Sequence, residues 1–190
     1  MSAPRLISRP LALLIAIAAL AVAIPTASAA TVTVNVGAAL SLTGEAAVYG
    51  ISSRKGIDMA AKEINAGAIT GVKVKVKTID DFSTTAGAAA AYGVFFRDGV
   101  STIVGPTLSS VALDVDPFAQ AARIPVLGIS NTQPGITEIG TFIFRPALTE
   151  DYVLPQVVKA VATSTLMPKT AVVIHPVFAR HGEGGLQGNA

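Results

Sequence analysis

The chain has no cysteine and no tryptophan, only two histidines, and charged residues make up just 14% of its 190 positions. Without cysteine there are no disulfides, no thiolate-ligated zinc or iron–sulfur sites, no thiol nucleophile and no lipid anchored through sulfur. Signatures of catalysis are missing as well. No G-x-S-x-G surrounds a serine, no G-x-G-x-x-G follows the first strand pattern, and no Walker-type Gly-Lys-Ser occurs. His175 and His181 have no metal-ligand partner at helical spacing, so both take a structural or incidental role. No catalytic residue, metal or cofactor is assigned.

What is present begins with a leader. Arg5 and Arg9 precede the 14-residue apolar run Leu11–Ile24, and Ala27-Ser28-Ala29 follows it. This is the order of a secretory signal peptide over residues 1–29, with cleavage after Ala29. A membrane anchor would need roughly 20 apolar residues. Removing the leader takes Lys+Arg from 14 to 12 against 12 acids, so the mature chain is formally neutral. Neutrality withdraws the support for nucleic-acid binding that a basic chain would give. Apolar residues at 51% are enough to bury a core. The expected product is exported, soluble and periplasmic.

Strand and helix patterns alternate along the mature chain. Residues 31–40 (TVTVNVGAAL) and 72–79 (VKVKVKTI) alternate as strands, the second with a face of lysines. Short strands are expected at 101–104, 125–129, 142–145 and 170–175, and helices at 51–66, 84–97, 109–122 and 151–164. Spacings of 20–30 residues predict an α/β fold, an open parallel sheet with right-handed crossovers and helices on both faces. Residues 176–190 (PVFARHGEGGLQGNA) have no period and are expected to be an aberrant, disordered tail.

Ligands of such sheets bind beyond the carboxyl ends of the strands. Three loops fall there: Ser41–Gly50, Gly105–Ser110 and Ser130–Gly135. Ser109 and Ser110 precede a helical run, where bare backbone amides can hold an anion. Ser130 and Thr132 add two hydroxyls on the neighbouring loop. A small carboxylate fits this set, but an N-capping serine and ordinary turn residues fit the pattern equally. Tyr49 either covers a ligand or simply packs. Asp80-Asp81 reads as a strand-end turn rather than an acid pair, because adjacent strand residues face opposite ways.

Five segments in order carry a family resemblance: VGAALSLTGEAAVYG (36–50), GIDMAAKEINAGAITG (56–71), VKTIDDFSTTAGAAAA (76–91), STIVGPTLSSVALDVDPFAQAARIPVLGISNTQP (101–134) and FIFRPALTEDYVLPQ (142–156). The chain resembles the periplasmic branched-chain amino acid (leucine/isoleucine/valine) binding proteins of ABC transporters, which have the type I periplasmic binding protein fold. That resemblance implies two lobes closing over a small amino acid, with a membrane permease as partner. It places Ser109 at the ligand carboxylate, Ser130 at a backbone contact, Thr132 at the amino acid backbone and Tyr49 near the cleft. It divides the chain into a first lobe, 30–147, and the start of a second, 148–175. Members of the family are about twice the mature length, so the second lobe is expected to be incomplete and ligand binding weak. Residues 180–190 can be written in codons whose next frame encodes a Gly-Gly-Tyr stretch like the family's helix start, which suggests a frameshift near 176–180. Two alternatives stand beside the transport reading: a ligand-binding domain of a sensor or receptor, and an exported hydrolase, for which no base is evident.

Overall fold

The structure is a computed structural model that describes residues 30–165 together with Thr170 and Val172. The leader, most of the strand expected at 170–175, both histidines and the tail lie outside the described residues.

Five parallel strands form one sheet in the order β2-β1-β3-β4-β5. They are β1 (Val32–Leu40), β2 (Val72–Asp80), β3 (Thr102–Val104), β4 (Val126–Leu127) and β5 (Ile143–Phe144). Four α-helices alternate with them: α1 (Ala47–Glu63), α2 (Thr85–Asp98), α3 (Ser109–Ala122) and α4 (Glu150–Ala162). The valine alternation of β1 and β2 brings them into register from Val32 opposite Val72 to Leu40 opposite Asp80. Lys73, Lys75 and Lys77 point outward, as the alternation requires.

Local chemistry sets the helix ends. Thr84 caps α2 by accepting from the Gly87 amide at 3.0 Å, and Gly99 closes it in the left-handed conformation at φ 63°. α1 starts four residues earlier than expected, at Ala47, and continues into a wider turn at Ile64–Ala68 whose helical path is broken by Gly67 at φ 111°. The expected loop Ser41–Gly50 is therefore shorter, and Tyr49 belongs to the first turn of α1. Gly50 is buried there; a Cβ on it would meet the Ser41 carbonyl oxygen at 2.0 Å. A short 3-10 turn at Thr137–Ile139 was not expected, and the other differences among the described residues are one to three residues at element ends.

Chain direction decides which face each helix covers. β1 to β2 steps one way along the sheet, whereas β2 to β3 and β3 to β4 step the other. Right-handed crossovers then put α1 on one face and α2 and α3 on the opposite one. The main core lies under α2 and α3, where Tyr92, Phe95, Val111 and Val115 pack on Ile103 and Val126 of the sheet. Tyr92 Oη donates to Asp116 Oδ1 at 2.7 Å, joining the two helices inside the core. Burial pushes the Asp116 carboxyl up to about 7, against the opposing pull of the Tyr92 hydrogen bond. Burial first, and then the nearby Asp116 charge, drive the Tyr92 phenol well above its ordinary value.

Candidate functional site

The strand order reverses at β1, with β2 on one side and β3 on the other. Such a reversal point, at the carboxyl edge of the strands, is where open α/β sheets bind their ligands. Two carboxylates hold the first loop in place. Asp80 accepts from the Leu42 amide (2.9 Å), the Thr43 amide (3.2 Å), Thr43 Oγ1 (2.7 Å) and the Phe82 amide (2.9 Å). Burial alone would raise the Asp80 carboxyl; the bonds from the Thr43 hydroxyl and these three amides outweigh it and hold the group below its ordinary value. Asp81, fully buried, accepts from Ser41 Oγ at 2.7 Å and from the Ser83 amide at 2.8 Å. The two acids thus act as a loop clamp, consistent with a strand-end turn.

The second loop leaves β3 directly against the end of β1. Gly105 takes φ +105°, and a Cβ there would meet the Ala39 carbonyl oxygen at 2.0 Å, so only glycine lets the chain leave β3 this close to β1. Thr107, buried beyond it, accepts the Ser41 amide at 3.0 Å and links the two loops. The third loop is pinned to the second. Asn131, also buried, donates to the Pro106 carbonyl at 3.2 Å, and Ser130 Oγ donates to the Thr107 carbonyl.

Ser109 does not act as an N-cap. Leu108 takes that position without a side-chain bond, and Ser109 is the first residue of α3. Its Oγ instead accepts the Thr132 amide at 3.2 Å and the Gln133 amide at 3.5 Å, so it reaches across to the third loop. Thr132 in turn donates its hydroxyl to Glu150 Oε1 at 2.6 Å, and the Glu150 amide returns a bond to the Thr132 carbonyl at 3.0 Å. Arg145 braces the same loop by donating to the Gln133 carbonyl at 2.7 Å. Ser109 is thus bonded directly to the Thr132 amide, Ser130 is tied to the second loop through the Thr107 carbonyl, and all three serve to join the second and third loops while half-buried. Ser110 is exposed on the first turn of α3. Tyr49 is 65% exposed on α1 and stands outside this network.

Sequence reasoning missed Thr107, Asn131, Arg145 and Glu150. Asn131 and Thr107 sit inside loops that were singled out, but nothing in a loop sequence says which polar residue turns inward. Arg145 and Glu150 lie within a segment that carried the resemblance, FIFRPALTEDYVLPQ, and that was their only signal. Among the described residues no group of three His, Asp or Glu could hold a metal ion, and no helix is long and apolar enough to cross a membrane.

Known proteins match this architecture. A family model described as periplasmic binding protein matches residues 33–180. The Leu/Ile/Val-binding protein homolog 1 of Brucella abortus is 33% identical over 105 residues, covering 55% of this chain and 28% of that protein. Homolog 3 of Brucella melitensis is 28% identical over 149 residues, 78% of this chain and 40% of the relative. Among solved structures, the branched-chain amino acid transporter substrate binding protein LivJ of Streptococcus pneumoniae, in complex with isoleucine, superposes with a TM-score of 0.65. It is 29% identical and the match covers 70% of this chain and 38% of LivJ. A solute binding protein of an ABC transporter from Rhodopseudomonas palustris, in complex with 3,4-dihydroxybenzoic acid, gives a TM-score of 0.57 at 25% identity, covering 62% and 32%. The matched part of the chain spans well under half of each of these relatives. Sheet order and sequence match agree, and the chain belongs to the periplasmic binding protein family.

Proposed function

We propose that this chain is an extracytoplasmic solute-binding protein of an ABC importer, taking a branched-chain or related amino acid at the carboxyl edge of its sheet. In this reading residues 1–29 direct export to the periplasm and are removed after Ala29. Residues 30–147 form the first ligand-binding lobe, residues 148–175 begin the second, and a membrane permease receives the loaded protein.

The observation that carries the reading is the Ser109 hydroxyl. Its oxygen already accepts two backbone amides from the third loop. A serine hydroxyl has one proton, and here that proton is left to donate outward. The first-turn amides of α3 have no carbonyl one turn earlier and add a positive end to the same spot. A ligand carboxylate meets all of these donors without needing a cationic side chain. The isoleucine-bound and dihydroxybenzoate-bound relatives both carry a ligand with a carboxylate, which fits this half of the site equally well.

The described residues supply one side of a crevice, so bound ligand stays in contact with water and each hydrogen bond yields a small net gain. Binding by the 190-residue chain is accordingly expected in the millimolar range or weaker, with a free energy of about −4 kcal/mol or less in magnitude. Amide chemical shifts read such affinities. Titration with L-leucine should move the Ser109, Ser110 and Thr132 amides along a saturating curve, and leucinamide, which lacks the carboxylate, should leave them in place. Equal responses to both compounds, or no response to either, would count against the proposal, and micromolar affinity in calorimetry would overturn the expectation of a one-sided, water-exposed site.

A further inference from the structure

Thr132 and Glu150 form a reciprocal pair between the third loop and the first turn of α4. The Thr132 hydroxyl donates to Glu150 Oε1 at 2.6 Å, while the Glu150 amide donates to the Thr132 carbonyl at 3.0 Å. An ionised carboxylate can only accept, so it fixes the direction of the threonine proton. With its one proton committed, the Thr132 oxygen offers lone pairs alone to anything else that approaches. Ser109, one bond away through the Thr132 amide, is in the opposite state: its oxygen is occupied and its proton is available. Two neighbouring hydroxyls are thereby set to opposite polarity, one to give and one to receive.

We infer that Glu150 is a positioning residue that makes Thr132 an acceptor, so that the site prefers ligands with an ammonium next to the carboxylate over plain carboxylic acids. This rests on the binding reading given above. A zwitterion meets Ser109 with its carboxylate and Thr132 with an N–H. A simple acid meets the same donor but finds no use for the acceptor, and its own oxygens repel the threonine lone pairs. Glu150 is exposed, so its charge also reaches the ammonium through solvent, but screening makes that contribution smaller than the fixed direction of the Thr132 proton.

The test compares L-leucine with 4-methylpentanoate, which keeps the carboxylate and side chain and lacks the ammonium, by amide-shift titration of the 190-residue chain. Native protein should favour leucine. Glu150→Ala should weaken leucine about tenfold and leave 4-methylpentanoate unchanged or tighter, because the freed Thr132 proton can now turn to a carboxylate. Glu150→Gln should stay close to native, since its amide oxygen still accepts the Thr132 hydroxyl. Thr132→Val should abolish the preference whichever residue stands at 150. Equal weakening of both ligands in Glu150→Ala, or a Glu150→Gln variant as impaired as Glu150→Ala, overturns the positioning role while leaving the binding reading intact. Absence of any leucine response in the native chain overturns both.

Discussion

Helices α3 and α4 differ little as sequences and greatly as parts of the molecule. Both begin at the carboxyl edge of the sheet, both contain an internal proline (Pro117 and Pro155), and both carry an apolar stripe. α3 buries Val111, Ala112, Val115, Asp116 and Ala119 against α2 and the sheet. α4 buries nothing among the described residues, although Leu154, Val157, Val158 and Val161 recur at helical spacing and are all exposed. An amphipathic period therefore tells which side of a helix seeks cover without telling whether the cover is present. Helix α3 finds its partners in α2 and the sheet. The matched region spans only 28–40% of the Brucella relatives, and α4 shows an apolar face with no partner among the described residues.

The largest test of that contrast is to place the same charge on each helix. Val115→Asp puts an unpaired carboxylate where exposure is 0%, and should cost more than about 4 kcal/mol and remove the cooperative thermal transition in circular dichroism. An intermediate effect belongs to pH. Asp116 keeps its proton in the folded chain up to about 7, whereas the unfolded chain releases it near 3.8. The folded state therefore binds more protons between these values. Stability from this group is fully present below about pH 4 and is lost as pH rises through 7. Asp116→Asn should flatten that decline in urea-unfolding series run from pH 5 to 8, and an unchanged slope would mean that Asp116 ionises normally. The smallest effect is on α4. Val158→Asp, at a residue 66% exposed, should shift the midpoint by no more than about 0.5 kcal/mol while lowering self-association in sedimentation.

The parts of the fold legible in the sequence were those with a regular period. β1 and β2 could be seen because valine alternates with other residues through Val36 and Val76, and α2 because alanines end at Gly99. The start of α1 was not visible, since Ala46 provides no capping side chain and glutamate and alanine suit a loop as well as a helix. The same limit applied at the site. The pairing of Ser109 with the third loop joins residues 23 apart, and no local pattern separates it from a capping serine. Long-range hydrogen bonds of this kind depend on which strands become neighbours, and strand order is a property of the whole sheet. The Tyr92–Asp116 pair, 24 residues apart, was hidden for the same reason.

The lysines of β2 have one more consequence. Among the described residues β2 is the rim strand of the sheet on one side, and at the other rim β5 has only two residues. A long rim studded with positive charge resists strand-by-strand stacking, and a two-residue rim gives an incoming strand little to template on. Any clumping of this chain should thus proceed by sticking of helix surfaces and not by sheet growth. Such particles would redissolve in mild detergent and would not bind dyes that report cross-β order.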